Sequence, residues 1–109
     1  MSVWPTWERP AEQEPAGALV LLHGRGGNEH DFSRLYEDLD PQHRLHVYVP
    51  RAPLQMGEGR AQWFDHEQRG SLEHAASAMH TWLDGLPFAR DRVALPRHGV
   101  LLRALHERR

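Results

Sequence analysis

The feature that most constrains the fold is a short apolar run that ends in a cluster of glycines. Residues 18–22 read Ala-Leu-Val-Leu-Leu, and His23 then leads into Gly24, Gly26 and Gly27. An unbroken apolar run bounded by glycines is typical of a strand buried on both faces of a sheet. Glycine also allows a positive φ and lets a bound group approach the backbone closely. We therefore predict a buried strand followed by a loop that exposes backbone N–H groups.

The segment after the glycines has the spacing of an amphipathic helix. Phe32, Leu35, Tyr36 and Leu39 recur at positions i, i+3, i+4 and i+7, which places them on one helix face. We predict a helix over residues 29–39 that comes directly after the glycine loop.

Strands and helices alternate along the rest of the chain. The expected elements are strands over residues 45–49 and 92–95 and helices over residues 71–86 and 99–106. We expect Ser71 to cap the helix that it begins. Residues 51–65 carry one proline and two glycines, so we expect a connection without regular structure that borders a site. Alternating strands and helices predict an α/β fold with a parallel sheet.

The first 17 residues differ in composition from the rest of the chain. They hold Pro5, Pro10 and Pro15 and few apolar side chains, so we expect an irregular arm or an edge strand. Residues 18–109 form the remainder, and a chain of 109 residues has room for at most one domain.

Composition narrows the classes of partner and chemistry. The 13 basic residues are all arginine, the net charge is −2, and the arginines are spread along the chain, so we expect no nucleic-acid partner. The chain has no cysteine, which excludes disulfides and thiol catalysis. No leader-like start and no apolar run of membrane-spanning length are visible. These features predict a soluble, cytoplasmic protein.

The glycine loop and two later segments resemble a known family. Residues 23–27, His-Gly-Arg-Gly-Gly after a buried strand, resemble the His-Gly loop of α/β-hydrolases, whose N–H groups form part of an oxyanion hole. Residues 50–54, Pro-Arg-Ala-Pro-Leu, and residues 63–65, Trp-Phe-Asp, are similar to the phospholipase/carboxylesterase branch, which includes acyl-protein thioesterases. The resemblance covers roughly residues 17–93. It implies a partial α/β-hydrolase fold, a three-layer sandwich with a short, mainly parallel sheet.

The resemblance also implies roles for individual residues. The backbone N–H groups of Arg25 and Gly26 would form half of an oxyanion hole, and His23, Trp63 and Phe64 would line the substrate pocket. The implied substrate is a small carboxylic ester or thioester. The residues themselves leave alternatives open. The loop can be a tight turn that only joins strand to helix, Trp63 and Phe64 can pack the long connection on the sheet, and the Arg25 side chain can face solvent or an acidic substrate group.

The nucleophile that this family requires is missing from the sequence. An α/β-hydrolase carries its serine in a Gly-x-Ser-x-Gly turn after a strand, with the acid and the histidine later in the chain. Residues 93–102 occupy that position, but no serine comes after Ser77, and no serine of this chain lies in such a turn. We therefore expect no catalytic residue. Residues 18–109 would be a truncated hydrolase-like domain, without the nucleophile turn and the C-terminal half and inactive alone.

Two other kinds of site have weaker signals. The closest histidine pair, His43 and His46, lacks a clustered carboxylate, so we expect no metal site. Gly24 and Gly26 share the spacing of a dinucleotide loop, but Glu29 stands where the third glycine belongs and would repel phosphate. We expect no cofactor.

The sequence also supports a non-catalytic function. The third predicted strand would leave an open sheet edge with apolar Val93 and Leu95, and such edges invite pairing with another chain. The alternative to an enzyme fragment is an α/β binding or dimerisation module that forms a homodimer or aggregates through this strand. A third hypothesis is that another polypeptide completes the hydrolase site.

Overall fold

The computed structural model describes residues 4–30 and 35–95 of the chain. The strands within these ranges are β1 (Thr6–Arg9), β2 (Gly17–Val20), β3 (Leu45–Pro50), β4 (Leu54–Gly57), β5 (Arg60–Gln62) and β6 (Val93–Ala94). The α-helices of the same ranges are α1 (Leu35–Leu39) and α2 (Ser71–Asp84), and a 3₁₀ turn, Arg90–Arg92, leads into β6.

Four strands form a mixed sheet in the order β1-β3-β2-β6. β2 pairs in parallel with β3 on one side and with β6 on the other. β1 runs antiparallel along the outer side of β3. The parallel core of this sheet, with helices between its strands, confirms the α/β prediction. β1 also gives part of the N-terminal segment the edge position that was one of its two predicted conformations.

β2 lies at the centre of the sheet because both of its faces are apolar. All four of its residues are buried, as expected for the apolar run. Alternate side chains of the run enter two different clusters. One cluster, here called the α2-side cluster, contains Ala18, Val20, Leu22, Tyr48 and the buried residues of α2. The other, the α1-side cluster, contains Leu19, Leu21, Val47 and Val49, with Trp7, Tyr36 and Leu45 packed against it.

Helix α2 packs through one apolar stripe, as its sequence predicts. Its buried residues are Ala75, Ala76, Met79, Trp82 and Leu83. The N-cap differs from the prediction. Gly70 takes that position with φ of 81°, and the Ser71 hydroxyl instead accepts a hydrogen bond of 2.8 Å from the Asp65 N–H. Ser71 therefore holds the preceding loop rather than the helix end.

The connection over residues 51–65 is more regular than its sequence indicated. β4 and β5 form an antiparallel hairpin within it, and Gly59 has φ of 72° in the turn that joins them. The prediction of a connection without regular structure was wrong, because glycines that break a longer strand also make the tight turn of a short hairpin. A further bridge pairs Gly27 with Ala61 and fastens the hairpin to the glycine loop.

Parts of two predicted helices fall outside the described residues. The first helix is present as α1, after a turn at residues 29–30, and residues 31–34 are not described. The helix predicted over residues 99–106 also lies beyond the described ranges. Within residues 4–30 and 35–95, no helix has the length and apolar character that crossing a membrane requires.

A buried carboxylate joins three elements at one end of the sheet. Asp40, which is 5% exposed, accepts hydrogen bonds of 3.0 Å from the backbone N–H groups of Arg44 and Leu45. It also forms an ion pair with Arg9 of β1. Burial by itself would raise the pKa of Asp40, but the two N–H donors and Arg9 outweigh burial and lower that pKa. Asp40 thus ties β1, the end of α1 and the start of β3 together.

We predict that the Asp40→Asn substitution lowers the free energy of unfolding at pH 7 by about 1–3 kcal/mol, because it removes charge-assisted hydrogen bonds from a buried site. The folded-state pKa lies below the unfolded one, so the carboxylate stabilises the fold above about pH 4 and loses this effect as the pH falls further. Urea unfolding between pH 2 and pH 7 should show a shallower acid dependence for the variant. Asp38→Asn, at an exposed position of helix α1, is the control. An equal loss in both variants would contradict the prediction.

Candidate functional site

The glycine loop leaves the sheet where the direction of strand addition changes. From β2 the chain adds β3 on one side and then returns to add β6 on the other. In open α/β sheets, ligands bind outside the carboxyl ends of the strands at such a switch point. The loop after β2 starts at this position. Topology therefore selects the predicted loop as the candidate site independently of its sequence.

His23 is buried at the end of the central strand run. It is 2% exposed, and both of its ring nitrogens are used inside the protein. Nε2 accepts a hydrogen bond of 3.0 Å from the Ala52 N–H, and Nδ1 lies 2.8 Å from the Gly24 carbonyl oxygen. These partners assign the proton to Nδ1, because Nε2 is the acceptor. The ring connects the end of β2 to the segment after β3.

Trp63 holds the same residue from the hairpin side. Its indole Nε1–H donates a hydrogen bond of 2.8 Å to the His23 carbonyl oxygen, and the two rings stack with centroids 5.2 Å apart. Trp63 is 8% exposed. His23 and Trp63 are thus brought together, as a support beneath the loop. A substrate-lining role for His23 stays a prediction, and in this conformation its polar atoms already have partners.

The loop itself is a tight turn over residues 24–27. The Gly27 N–H donates to the Gly24 carbonyl oxygen at 3.0 Å, which closes a four-residue turn. Gly26 has φ of 84°, as the third position of a type II turn requires. Arg25 occupies the second position. Of the three glycines in the loop, only Gly26 needs the left-handed region.

Strand β5 uses one of the two predicted oxyanion donors. The Gly26 N–H donates to the Ala61 carbonyl oxygen at 2.8 Å, and the Ala61 N–H donates to the Gly27 carbonyl oxygen at 2.9 Å. In this conformation the Gly26 N–H already has an acceptor, and its oxyanion role stays a prediction. The Arg25 N–H forms no hydrogen bond with another described residue. It is the remaining candidate donor of the predicted pair.

Two arginine side chains lie on the outer side of the loop. Nε of Arg25 donates to the Gln62 side-chain oxygen at 3.1 Å. Nε of Arg60 lies 3.4 Å from the Gly26 carbonyl oxygen, and Nη2 of Arg60 lies 2.9 Å from the position that a Cβ on Gly26 would occupy. Both side chains are oriented by neutral partners from the loop or the hairpin.

A third arginine near the loop is paired with a carboxylate. Nε of Arg51 donates to Oε1 of Glu29 at 2.8 Å, and the Glu29 side chain is 11% exposed. Burial alone would raise the pKa of Glu29. Its own backbone N–H, the hydrogen bond from Arg51 and the charges of Arg51 and His30 lower that pKa overall. Glu29, which excludes a third glycine from the loop, therefore acts as the partner of Arg51.

The other predicted pocket residues lie toward helix α2. Trp63 lines a groove of about 420 Å³ together with Trp4, Leu54 and His74, beside the first turn of α2. Phe64 is partly buried against the α2-side cluster, and its ring centroid lies 4.5 Å from that of His66. Phe64 thus packs on the core, as the packing alternative for this residue expects. An acyl-binding role for either aromatic residue stays a prediction.

The histidine pair considered for a metal diverges. His43 contacts Glu37 at 2.9 Å, whereas His46 contacts Glu8 at 2.8 Å and stacks on Tyr48. In the part of the chain that the structure describes, no three His, Cys, Asp or Glu side chains are grouped as metal ligands would be. Of residues 93–102, where a nucleophile turn was expected, residues 96–102 lie outside the described ranges.

The backbone atoms that hold the loop escaped sequence reasoning. Ala52 and Ala61 act through their N–H or C=O groups, and alanine gives no chemical signal of such a role. The available signal was the pair Gly57 and Gly59, which mark a hairpin turn between two short segments.

Comparison with known proteins assigns no family to this chain. No protein-family model matches the chain, and no curated protein matches it in a sequence search.

We predict that Gly26→Ala lowers the free energy of unfolding by about 1–2 kcal/mol, because an alanine side chain is strained in the left-handed region. The contact with Arg60 adds little, since the end of that side chain can move. The measurement is urea unfolding. Gly24→Ala is the matched control: its φ is not positive and a Cβ there meets open space. Equal stability of the Gly26 variant and the wild type would rule out the turn described above.

Proposed function

We propose that this chain supplies the oxyanion-loop half of an ester-hydrolase site of the α/β-hydrolase type, in the phospholipase/carboxylesterase group. The observation that carries the proposal is the position of the His23–Gly27 loop. The loop comes after the central strand, lies at the topological switch point, and presents the Arg25 N–H without a hydrogen-bond partner in the described residues. The implied substrate is a carboxylic ester or thioester.

The packing of the sheet supports the finer part of the fold proposal. The α2-side cluster joins β2 and β3 to helix α2. In the α1-side cluster the alternate side chains of the same strands contact Tyr36 of helix α1. Helices packed on the two faces of one sheet are the basis of a three-layer sandwich. We propose this architecture, in its partial form, for residues 18–109.

The proposed site supplies a donor for an oxyanion but no Gly-x-Ser-x-Gly nucleophile. A backbone N–H aimed at a developing oxyanion lowers the barrier, and removing such a donor typically costs about 10²–10³-fold in rate. Covalent catalysis additionally needs a nucleophile and a base. The sequence contains no Gly-x-Ser-x-Gly turn. The proposed function of the chain by itself is therefore to hold the loop geometry, without turnover.

We predict that the purified 109-residue chain hydrolyses p-nitrophenyl butyrate and a butyryl thioester no faster than the Gly26→Ala variant does at the same concentration and in the same buffer. The reason is that a single oxyanion donor has no nucleophile to assist. Release of p-nitrophenolate and of free thiol measures the two reactions. Turnover that depends on Gly26 would contradict the expected inactivity.

The ester-hydrolase assignment has a separate test. Translating the DNA beyond codon 93 in three frames should reveal a Gly-x-Ser-x-Gly turn with Asp and His codons after it. The assignment fails if no frame contains them. In a chain completed with that segment, Arg25→Pro keeps the type II turn and deletes the N–H donor, so it should lower kcat by about 10²–10³-fold. Arg25→Ala keeps the N–H and is the control.

A second candidate function is self-association through β6. Among the described residues, β6 pairs only with β2, so its other side is an edge, and Val93 and Leu95 pack only partly against the core. An edge of this kind can pair with a second copy of the chain. We propose it as the alternative to the hydrolase-derived function.

For this alternative we predict that sedimentation velocity shows a dimer that Val93→Lys converts to monomer, because a charged side chain blocks edge pairing. His46→Lys, a partly buried position on β3, is the control for general effects of a new charge in the sheet. A monomer in the wild type at all accessible concentrations would exclude the dimerisation function.

A further inference from the structure

A polar cleft lies against the hairpin, whose residue Arg60 contacts Gly26 of the glycine loop. It has a volume of about 290 Å³ and is enclosed by the hairpin, the start of β1 and the end of β3. Arg51, Ala52, Gln55 and Arg60 contribute to its walls, and none of the described lining residues is acidic. A concave site that is lined by two arginines, and by no acidic residue among those described, favours an anion.

Arg60 lines this cleft and forms no ion pair with another described residue. Its guanidinium is laid over Gly26 by the contact with the Gly26 carbonyl oxygen. Within the described residues, the arginine ion pairs involve Arg9, Arg51 and Arg90, and not Arg60. A guanidinium has five N–H donors, so Arg60 retains donors for a ligand.

Arg51 also lines the cleft, and it is held at two points. Its backbone N–H donates to the Pro5 carbonyl oxygen at 2.7 Å, and its Nε is bound by Glu29. Glu29 itself does not line the cleft. Two arginines line the cleft and one of them is paired with Glu29, so the described charges of this region sum to a net positive charge.

We propose that this cleft binds the anionic oxygen group, a phosphate or a carboxylate, of a small molecule. Guanidinium groups bind both anions through paired, charge-assisted hydrogen bonds. The Gln55 amide, which also lines the cleft, offers a neutral donor. Binding here does not depend on ester hydrolysis. Arg60 also contacts Gly26, so the cleft and the glycine loop share this residue.

The test is a titration of the 109-residue chain, monitored through the backbone amide NMR signals of residues 51, 52, 60 and 61. The probes are inorganic phosphate and, separately, acetate, at constant ionic strength. Each probe consists of little more than the anionic group, so the probe with the lower Kd identifies the preferred group. We expect saturable shifts at these amides. Arg60→Gln should weaken binding about 10-fold or more, as loss of a charge-assisted contact does.

Two further variants separate a built site from general screening. Glu29→Gln keeps an acceptor for Arg51 and removes the neutralising charge, so it should tighten binding about 5-fold. Arg44→Gln removes an exposed arginine before the other end of β3 and should leave binding unchanged. The proposal is overturned if neither anion shifts the cleft amides, if Arg60→Gln binds as the wild type does, or if Arg44→Gln weakens binding equally.

Discussion

The hydrogen bond from the Trp63 indole to the His23 carbonyl oxygen is the interaction on which the site geometry depends. His23 lies at the end of the buried central run, where its carbonyl is removed from water, and a buried acceptor left without a donor costs about 1–3 kcal/mol. Trp63 supplies that donor from a different segment of the chain. Because the His23 ring also accepts from the Ala52 N–H, the ends of two parallel strands and the hairpin meet at one residue.

In this arrangement, some polar groups of the loop region hold the loop in place and others do not. Two polar groups of the loop region, the His23 ring and the Gly26 N–H, are consumed in holding the turn. Among the described residues, the Arg25 N–H forms no hydrogen bond and Arg60 of the hairpin forms no ion pair. Under the proposed function, a bound molecule would therefore meet mainly backbone groups and positive charge at this loop. Its histidine serves the fold.

The sequence predicts the central elements well because burial leaves a periodic signal. The apolar run predicts β2, the alternation of Leu45, Val47 and Val49 predicts β3, and the stripe that includes Met79 and Leu83 predicts α2. The hairpin was missed because β5 has three residues, too few for a period to show, and because its role is carried by the backbone of Ala61. The glycine loop forms the turn after the central strand that the sequence predicts, whereas the pairing of the Gly26 N–H with Ala61 is encoded by no residue type.

The way the turn is held has a consequence for how this chain can vary. The backbone of residues 24–27 is fixed by Ala61, by the Gly24 carbonyl and by the His23–Trp63 pair. The side chain at position 25 contributes to the turn only a contact with Gln62. Substitutions at position 25, whether natural or from a saturation library, can therefore change the side chain at the candidate site while the peptide group keeps its orientation. The backbone conformation of the turn is thus independent of which side chain stands at position 25.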